Sequence, residues 1–267
     1  MPNENKTVHS KFLTVALEAA SKAETVIMDY YSGRIASELK ADGTPVTVAD
    51  TEAERVIIET ITNEFPDHGF LGEESGDTHS SSPYVWIIDP IDGTKNYIRH
   101  IPLFATQIAL MRENELILGV SNAPAMTELL HAEKDCGAFL NNQRVNVTDV
   151  GRFDEAMICH GGLKYFNEKG ILTNLFTIAD DAHRTRGFGD CYMYHLLASG
   201  RADAVIEAAI SIWDIAALTV IVEEAGGRVT NLRGEPIDRN TDSILATNGF
   251  LHQQILTRFE KTLNDAV

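Results

Sequence analysis

The sequence predicts a layered α/β protein (α+β in chain order) with sheets sandwiched between helices. Three observations carry that reading. The chain has 267 residues, 44% of them hydrophobic, which is length enough for a sizeable core. Two helix-period segments give way to a meander of short apolar runs, and beyond about residue 150 strands alternate with helices. No repeat and no Pro/Ser-rich linker divides the chain. We therefore expect a single catalytic domain over 1–267, with intimate halves of about 1–150 and about 151–267.

Taken in order, Ser10 is placed to cap a helix whose inward face is Leu13, Leu17, Ala20 and Ile27, with Gly33 to end it. A second helix is predicted from about Asp50 to Phe65, with Ala53, Val56, Ile57 and Ile61 inward and Pro66 as its stop. Ser75 to Pro83 reads as a surface loop. Strands are predicted at 84–88, 105–111, 116–120 and 128–132. The second half reads as a strand near 157–159, a helix from about Lys169 to Ile178, a helix over 191–198 and a strand over 204–207. A helix over 215–224 stopped by Gly226-Gly227, a strand near 243–247 and a closing helix over 251–263 complete the chain.

Charge narrows the partners. Twenty-two basic against thirty-nine acidic residues leave a net charge of −17. Such a surface repels polyanions, so nucleic acid and anionic membrane are excluded as expected partners, and most of the excess reads as a soluble surface. Cys136, Cys159 and Cys191 lack metal-ligand or CxxC spacing and read as free thiols of a reducing compartment. The polar Met1–Lys6 start lacks signal-peptide features. The apolar stretch 204–225 carries Glu207, Asp214, Glu223 and Glu224, too many charges for a membrane span. The expected location is the cytoplasm.

The most informative stretch is Trp86-Ile87-Ile88-Asp89-Pro90-Ile91-Asp92-Gly93-Thr94-Lys95-Asn96. A β-branched run ends in Asp89, Pro90 opposes further ladder pairing, and Asp92 follows. Two carboxylates at a strand mouth, joined by the Ile91 carbonyl, can converge on one point, and hard divalent cations take such oxygen ligands. The amides of Gly93, Thr94 and Lys95 at a helix start offer a contiguous anion cradle. Asp, Pro and Gly also make ordinary turns. Two further acidic corners, Gly72-Glu73-Glu74 and Trp213-Asp214-Ile215-Ala216-Ala217, favour a site over three coincidences, although Asp214 alone reads as a helix N-cap. Phosphatases with Asp-x-Asp-Gly-Thr keep both acids on one strand face. Here two residues separate the acids, which disfavours an aspartyl-phosphate mechanism.

The three motifs, in this order, resemble those of the inositol monophosphatase superfamily: Gly72–Glu74, Trp86–Thr94 and Trp213–Ala217, within a similarity running from about Leu39 to Phe250. The resemblance implies an inositol monophosphatase/fructose bisphosphatase-like five-layer αβαβα sandwich, Mg²⁺-dependent hydrolysis of a small-molecule phosphate monoester, and a homodimer. It assigns Glu73, Asp89 and the Ile91 carbonyl to one Mg²⁺, and Asp89, Asp92 and Asp214 to a second. Asp50 matches an upstream acid near the metals, with Lys40 beside it. The implied chemistry is two-metal in-line displacement by water that Glu73 and Thr94 orient and deprotonate. Lys95 either replaces part of a third Mg²⁺ ion's charge or points to solvent.

Within the superfamily, the segments 93–102, 186–191 and 210–214 resemble the histidinol-phosphatase branch. An acid at Asp190, with Glu207, suits a cationic amine and an imidazole better than a ring of hydroxyls. Each acid has a plain alternative, Asp190 as a helix N-cap and Glu207 as a strand-end surface acid. Arg186 is placed to meet substrate or a partner subunit. His100 and His195 read as ordinary surface or core residues. The expected reaction is hydrolysis of L-histidinol phosphate. Inositol 1-phosphate is the alternative substrate. Bisphosphates are disfavoured because no second basic cluster is evident, and a non-catalytic cation-binding protein is the alternative of another class.

Overall fold

The structure, a computed structural model, describes residues 9–33, 35–40, 45–78 and 81–264. Ser10 caps α1 (Lys11–Tyr31), its Oγ accepting from the Leu13 amide at 3.1 Å, a cap worth about 1 kcal/mol. Leu13, Ala20 and Ile27 are buried along its inner face, with Leu17 half-buried. Two short antiparallel strands follow, β1 (Ser37–Leu39) and β2 (Pro45–Thr47). The second helix, α2 (Val48–Glu64), begins ahead of the predicted Asp50. Thr47 is its N-cap, and Asp50 at the third helical position closes a capping box, its Oδ2 accepting from the Thr47 amide at 2.7 Å.

The larger sheet contains β3 (Gly69–Gly72), β4 (Gly76–Asp77), β5 (Tyr84–Asp92), β6 (Ala105–Arg112), β7 (Glu115–Ala123), β8 (Glu128–Glu133), β9 (Gly137–Leu140) and β10 (Gln143–Val145). Among the described residues its order is β10-β9-β8-β7-β6-β5-β3-β4, antiparallel except where β3 runs beside β5. The single-turn α3 (Thr94–Tyr97) lies between β5 and β6. The predicted surface loop 75–83 thus contains a short strand, because Gly76 with φ of +72° lets the chain fold back on β3.

The second half builds β11 (Met157–His160), α4 (Leu163–Glu168), α5 (Leu172–Asp181), β12 (Arg184–Arg186), α6 (Tyr192–Ala198), β13 (Ala204–Ala208), α7 (Ile212–Glu224), β14 (Arg228–Thr230), β15 (Ser243–Thr247) and α8 (His252–Asn264). Its strands form a second sheet of order β12-β11-β13-β15-β14. One expectation fails here. The helix predicted from Lys169 to Ile178 begins only at Leu172, as α5, because Gly170 takes φ of +71°, and α4 ahead of it was not foreseen.

Side-chain alternation sorts the layers. On β5 and β6, Trp86, Ile88, Ile108 and Leu110 pack under α1 and α2, whereas Ile87, Ala109 and Met111 face α6 and α7. The far side of α6 and α7 meets Val205, Ile244 and Ala246 of the second sheet, whose other face packs Ile158, Ile206 and Leu245 against α4, α5 and α8. The layers therefore run αβαβα. Central α7 is buried almost all round, from Ile215 to Val222, as a helix between two sheets must be. Close approach is possible because β7 carries Gly119: a Cβ there would lie 2.2 Å from the Ala217 carbonyl oxygen. Among the described residues, no helix is long and apolar enough to cross a membrane.

Candidate active site

Strand β5 does not stop at Pro90. It continues to Asp92 around an irregularity in which Asp89 pairs with Gln107 and Asp92 with Ala105, so Pro90 and Ile91 oppose Thr106 alone. Residues three apart on a regular strand face opposite ways, and the extra residue of a bulge returns the second to the face of the first. The Asp89 Oδ1 accepts from the Ile91 amide at 3.0 Å, and Thr106 Oγ1 donates to the Pro90 carbonyl at 2.9 Å. Gly93 follows with φ of +93°, and a Cβ there would lie 2.8 Å from the Leu103 carbonyl oxygen. Only glycine fits that corner, which swings the amides of Thr94 and Lys95 to the mouth of β5. Since α3 is one turn long, those amides, and not a helix macrodipole, make any anion cradle there.

Glu73 sits on the turn between β3 and β4. That turn is held from α2: buried Glu54 accepts from the Ser75 amide at 2.8 Å and the Glu74 amide at 3.0 Å. A Cβ on Gly72 would fall 2.6 Å from Glu54 Oε2, so the glycine makes room for this strap. Glu54 is one helical turn beyond Asp50, and sequence reasoning missed it; a polar residue within the buried stripe Ala53–Ile57–Ile61 was the available signal. Lys40 Nζ bridges Glu73 and Glu74 at 2.7 Å each. Burial works against its charge, yet the two carboxylates hold the ammonium well above its ordinary value. The Thr94 hydroxyl lies 3.0 Å from the Ile91 carbonyl oxygen and 3.4 Å from Asp50 Oδ1, both possible acceptors.

Asp214 is not the N-cap of α7. Ser211 is, and Asp214 at the third helical position accepts from the Ser211 amide at 2.7 Å. Asp190 is not a helix N-cap either: it stands in left-handed backbone at φ of +54°, ahead of Cys191, and takes a hydrogen bond from Asn96 Nδ2 at 2.9 Å. Nor is Glu207 a surface acid. It is buried and accepts from the Tyr194 hydroxyl at 2.7 Å. Tyr194 was not foreseen, because nothing in its local sequence separates it from a core tyrosine of α6.

These residues surround one cavity of about 270 Å³. Its walls include Glu73, Asp89, Ile91, Asp92, Gly93, Thr94, Lys95, Asp190, Glu207 and Asp214, together with Tyr165 and Tyr194. Asp50 stands behind Thr94, outside the lining. Arg186 is also outside it, at the end of β12, donating to the neighbouring Thr185 carbonyl at 2.8 Å.

The electrostatics are those of an acid cluster short of cations. Burial, then Glu73, Asp92 and Asp214, push the Asp89 carboxyl well above the carboxylate range. Burial, then Asp190, Asp214 and Glu207, do the same to Asp92. Asp214 is pushed up to about 7 by burial with Glu73 and Asp190, and Glu207 to about 8 by burial with Asp190 and Asp214, against the Tyr194 hydrogen bond. Desolvated carboxylates in mutual contact are costly unless protonated or met by a cation, and an all-oxygen set including a main-chain carbonyl suits a hard divalent ion. The residues present therefore fit Mg²⁺. Among the described residues no three such side chains already stand as a ligand group; Glu73 is turned to Lys40, which a bound cation would have to displace or share.

Fold, motifs and cavity agree with a wider comparison. The model of the inositol monophosphatase family matches residues 9–264. The chain belongs to the inositol monophosphatase family. A histidinol-phosphatase of Chlorobaculum parvum is 38% identical over 245 residues, 91% of this chain and 95% of that protein. An inositol-1-monophosphatase of Mesorhizobium japonicum is 33% identical over 96% of this chain and 98% of its own length. Among solved structures, the extragenic suppressor protein suhB of Bartonella henselae superposes with a TM-score of 0.89 at 31% identity, over 94% of this chain and 99% of that one. The five-layer αβαβα architecture is that of this family, and the protein is a phosphomonoesterase of the inositol monophosphatase superfamily.

Proposed function

We propose that the protein is a Mg²⁺-dependent L-histidinol-phosphate phosphatase. The observation that carries the substrate is the pair of acids away from the strand mouth. Asp190 and Glu207 are held on the cavity wall by Asn96 and Tyr194, neither forms an ion pair among the described residues, and Lys95 acts on Asp190 from the rim. Carboxylates that burial keeps from ionising gain most from a ligand that arrives with its own positive charge. An imidazolium and an ammonium on one alcohol meet that need; a neutral polyol does not.

Glu73, Asp89, the Ile91 carbonyl, Asp92 and Asp214 would hold two Mg²⁺. When bound, Mg²⁺ supplies Lewis acidity toward the phosphoryl oxygens and makes water acidic enough to deprotonate near neutral pH. The amides of Gly93–Lys95 receive the phosphate, and the Lys95 ammonium at the rim draws the anion in. Glu73 takes the proton of the attacking water, with Thr94 Oγ1 fixed between Asp50 and the Ile91 carbonyl to orient it. Asp190 and Glu207 bind the cationic end and so place the ester in line with that water. Both halves of the chain line the cavity, so we treat 1–267 as one catalytic domain, expected as a cytoplasmic homodimer.

A substrate panel with and without Mg²⁺ tests the reading. We expect kcat/KM for L-histidinol phosphate to exceed that for inositol 1-phosphate by at least about tenfold, a difference of roughly 1.4 kcal/mol, and activity to vanish in EDTA. The reverse preference would make the protein an inositol-1-phosphate phosphatase, the second reading that the Mesorhizobium relative favours. Mg²⁺ binding without turnover of any phosphomonoester would defeat both.

A further inference from the structure

Gln107 stands in the middle of β6, wholly buried, and pairs directly across the strands with Asp89. It interrupts an apolar run, and a buried amide in a sheet needs a reason, since an unmet polar group costs free energy. Half of that reason is visible: Nε2 donates to Asp92 Oδ2 at 3.2 Å. The other half is an oddity, for the Gln107 Oε1 is buried with no hydrogen-bond partner among the described residues. Next to it, Thr106 Oγ1 holds the Pro90 carbonyl. Two consecutive β6 side chains thus grip the β5 bulge, one at its backbone and one at its carboxylate.

We propose that Gln107 is a positioning residue for the cation site, its side-chain amide tying down Asp92 Oδ2 so that the carboxylate is held in one orientation. The inference rests on the reading of Asp92 as a metal ligand. Beside a bound cation the Asp92 carboxylate would only accept hydrogen bonds, so the amide presents its NH₂ to it, which leaves Oε1 unmatched. The stability lost at Oε1 is the mark of a side chain kept for its other end. Gln107 does not line the cavity and touches no substrate; it acts through Asp92.

The test is Mg²⁺ titration of the full chain by calorimetry, in the parent, Gln107→Met, Asp92→Asn and the double variant, with thermal midpoints taken in EDTA. Removal of a hydrogen bond to a charged group predicts a Mg²⁺ Kd weakened by about tenfold in Gln107→Met, with a midpoint in EDTA no lower than the parent's. In the Asp92→Asn background the same substitution should add nothing, because its effect passes through that carboxylate. A Kd within about twofold of the parent's, or an equal loss in both backgrounds, overturns the proposal. If Asp92→Asn alone leaves Mg²⁺ binding intact, the ligand reading itself falls, and the proposal with it. Should Gln107→Met not fold, the Gln107 side-chain amide resonances of the parent protein decide: they should shift on addition of Mg²⁺, and unmoved signals count against the role.

Discussion

At the bottom of the cavity, Asp92 and Asp214 hold charges that burial opposes, so each stabilises the folded chain only when a counter-charge arrives. Asp92→Asn or Asp214→Asn should lower kcat by at least about a hundredfold, the scale of losing one preorganised electrostatic group. The metal-free protein should keep or gain thermal stability, because each change relieves repulsion; circular dichroism melts in EDTA check this. Asp190→Asn should leave the fold intact and shrink the preference for histidinol phosphate, read as the ratio of kcat/KM values on the substrate panel. A different residue group shows why pattern alone is no guide to chemistry. His195 lies between Ser121, at 2.8 Å from Nε2, and Glu128, at 3.2 Å from Nδ1, the arrangement of a hydrolytic triad. Ser121 and His195 are fully buried, so no substrate reaches them, and the group ties α6 to β7 and β8. Because a carboxylate only accepts, Nδ1 carries the hydrogen. Burial acts to raise the Glu128 carboxyl, but His195 and Arg201 outweigh it and hold it down at about 2. A depressed carboxylate stabilises the fold above its unfolded value of about 4.5 and loses that contribution as pH falls toward 2. Glu128→Gln should therefore flatten the loss of stability between about pH 5 and pH 2, measured by urea unfolding at each pH.

Elements place these residues, and each of the three acidic corners depends on a feature of its element. Pro90 and the bulge turn Asp89 and Asp92 to one cavity; the Glu54 strap sets the Glu73 turn; the Ser211 cap sets Asp214 at the head of α7. That helix reaches its depth because Gly119 gives it space. Gly119→Ala would drive a methyl group into the Ala217 carbonyl, and overpacking of this kind costs about 1–3 kcal/mol. For a chain of this size that is a fall in Tm of roughly 2–12 °C, with a weaker Mg²⁺ affinity if α7 shifts and carries Asp214 with it. Much of this level was legible. Hydrophobic period and turn residues located α1, α2, β5 to β8 and most of the second half, since those segments alternate or recur with one face to the core. Helix α4 and the short strands β1, β2, β4, β9, β10, β12 and β14 were not, because two to six residues carry too little periodicity to register, and their packing is decided by distant partners.

On the scale of the whole molecule, the cavity is walled by both halves of the chain, and the buried acids gathered there repel one another until a cation meets them. Mg²⁺ should therefore stabilise the fold by mass action, about 2.7 kcal/mol at a hundredfold excess over Kd, seen as a rise in Tm that EDTA reverses. Ten of the predicted site residues do meet at the cavity, because a motif such as Trp86–Thr94 brings its own acids and its own turn. Asp50 falls just behind Thr94, and Arg186 stands apart, since β12 ends where the next turn leads away. What the sequence by itself determined is the identity of the acids, the turn chemistry around them and the periodicity that sorts the chain into layers. Only the tertiary structure decided that Glu54 and Gln107 serve Glu73 and Asp92, and that Glu207 is buried and not a surface acid. It also showed that Ser121 and His195, beside Glu128, are shut away from substrate. Those properties arise from burial and from contacts between residues far apart in the chain, which no local pattern encodes.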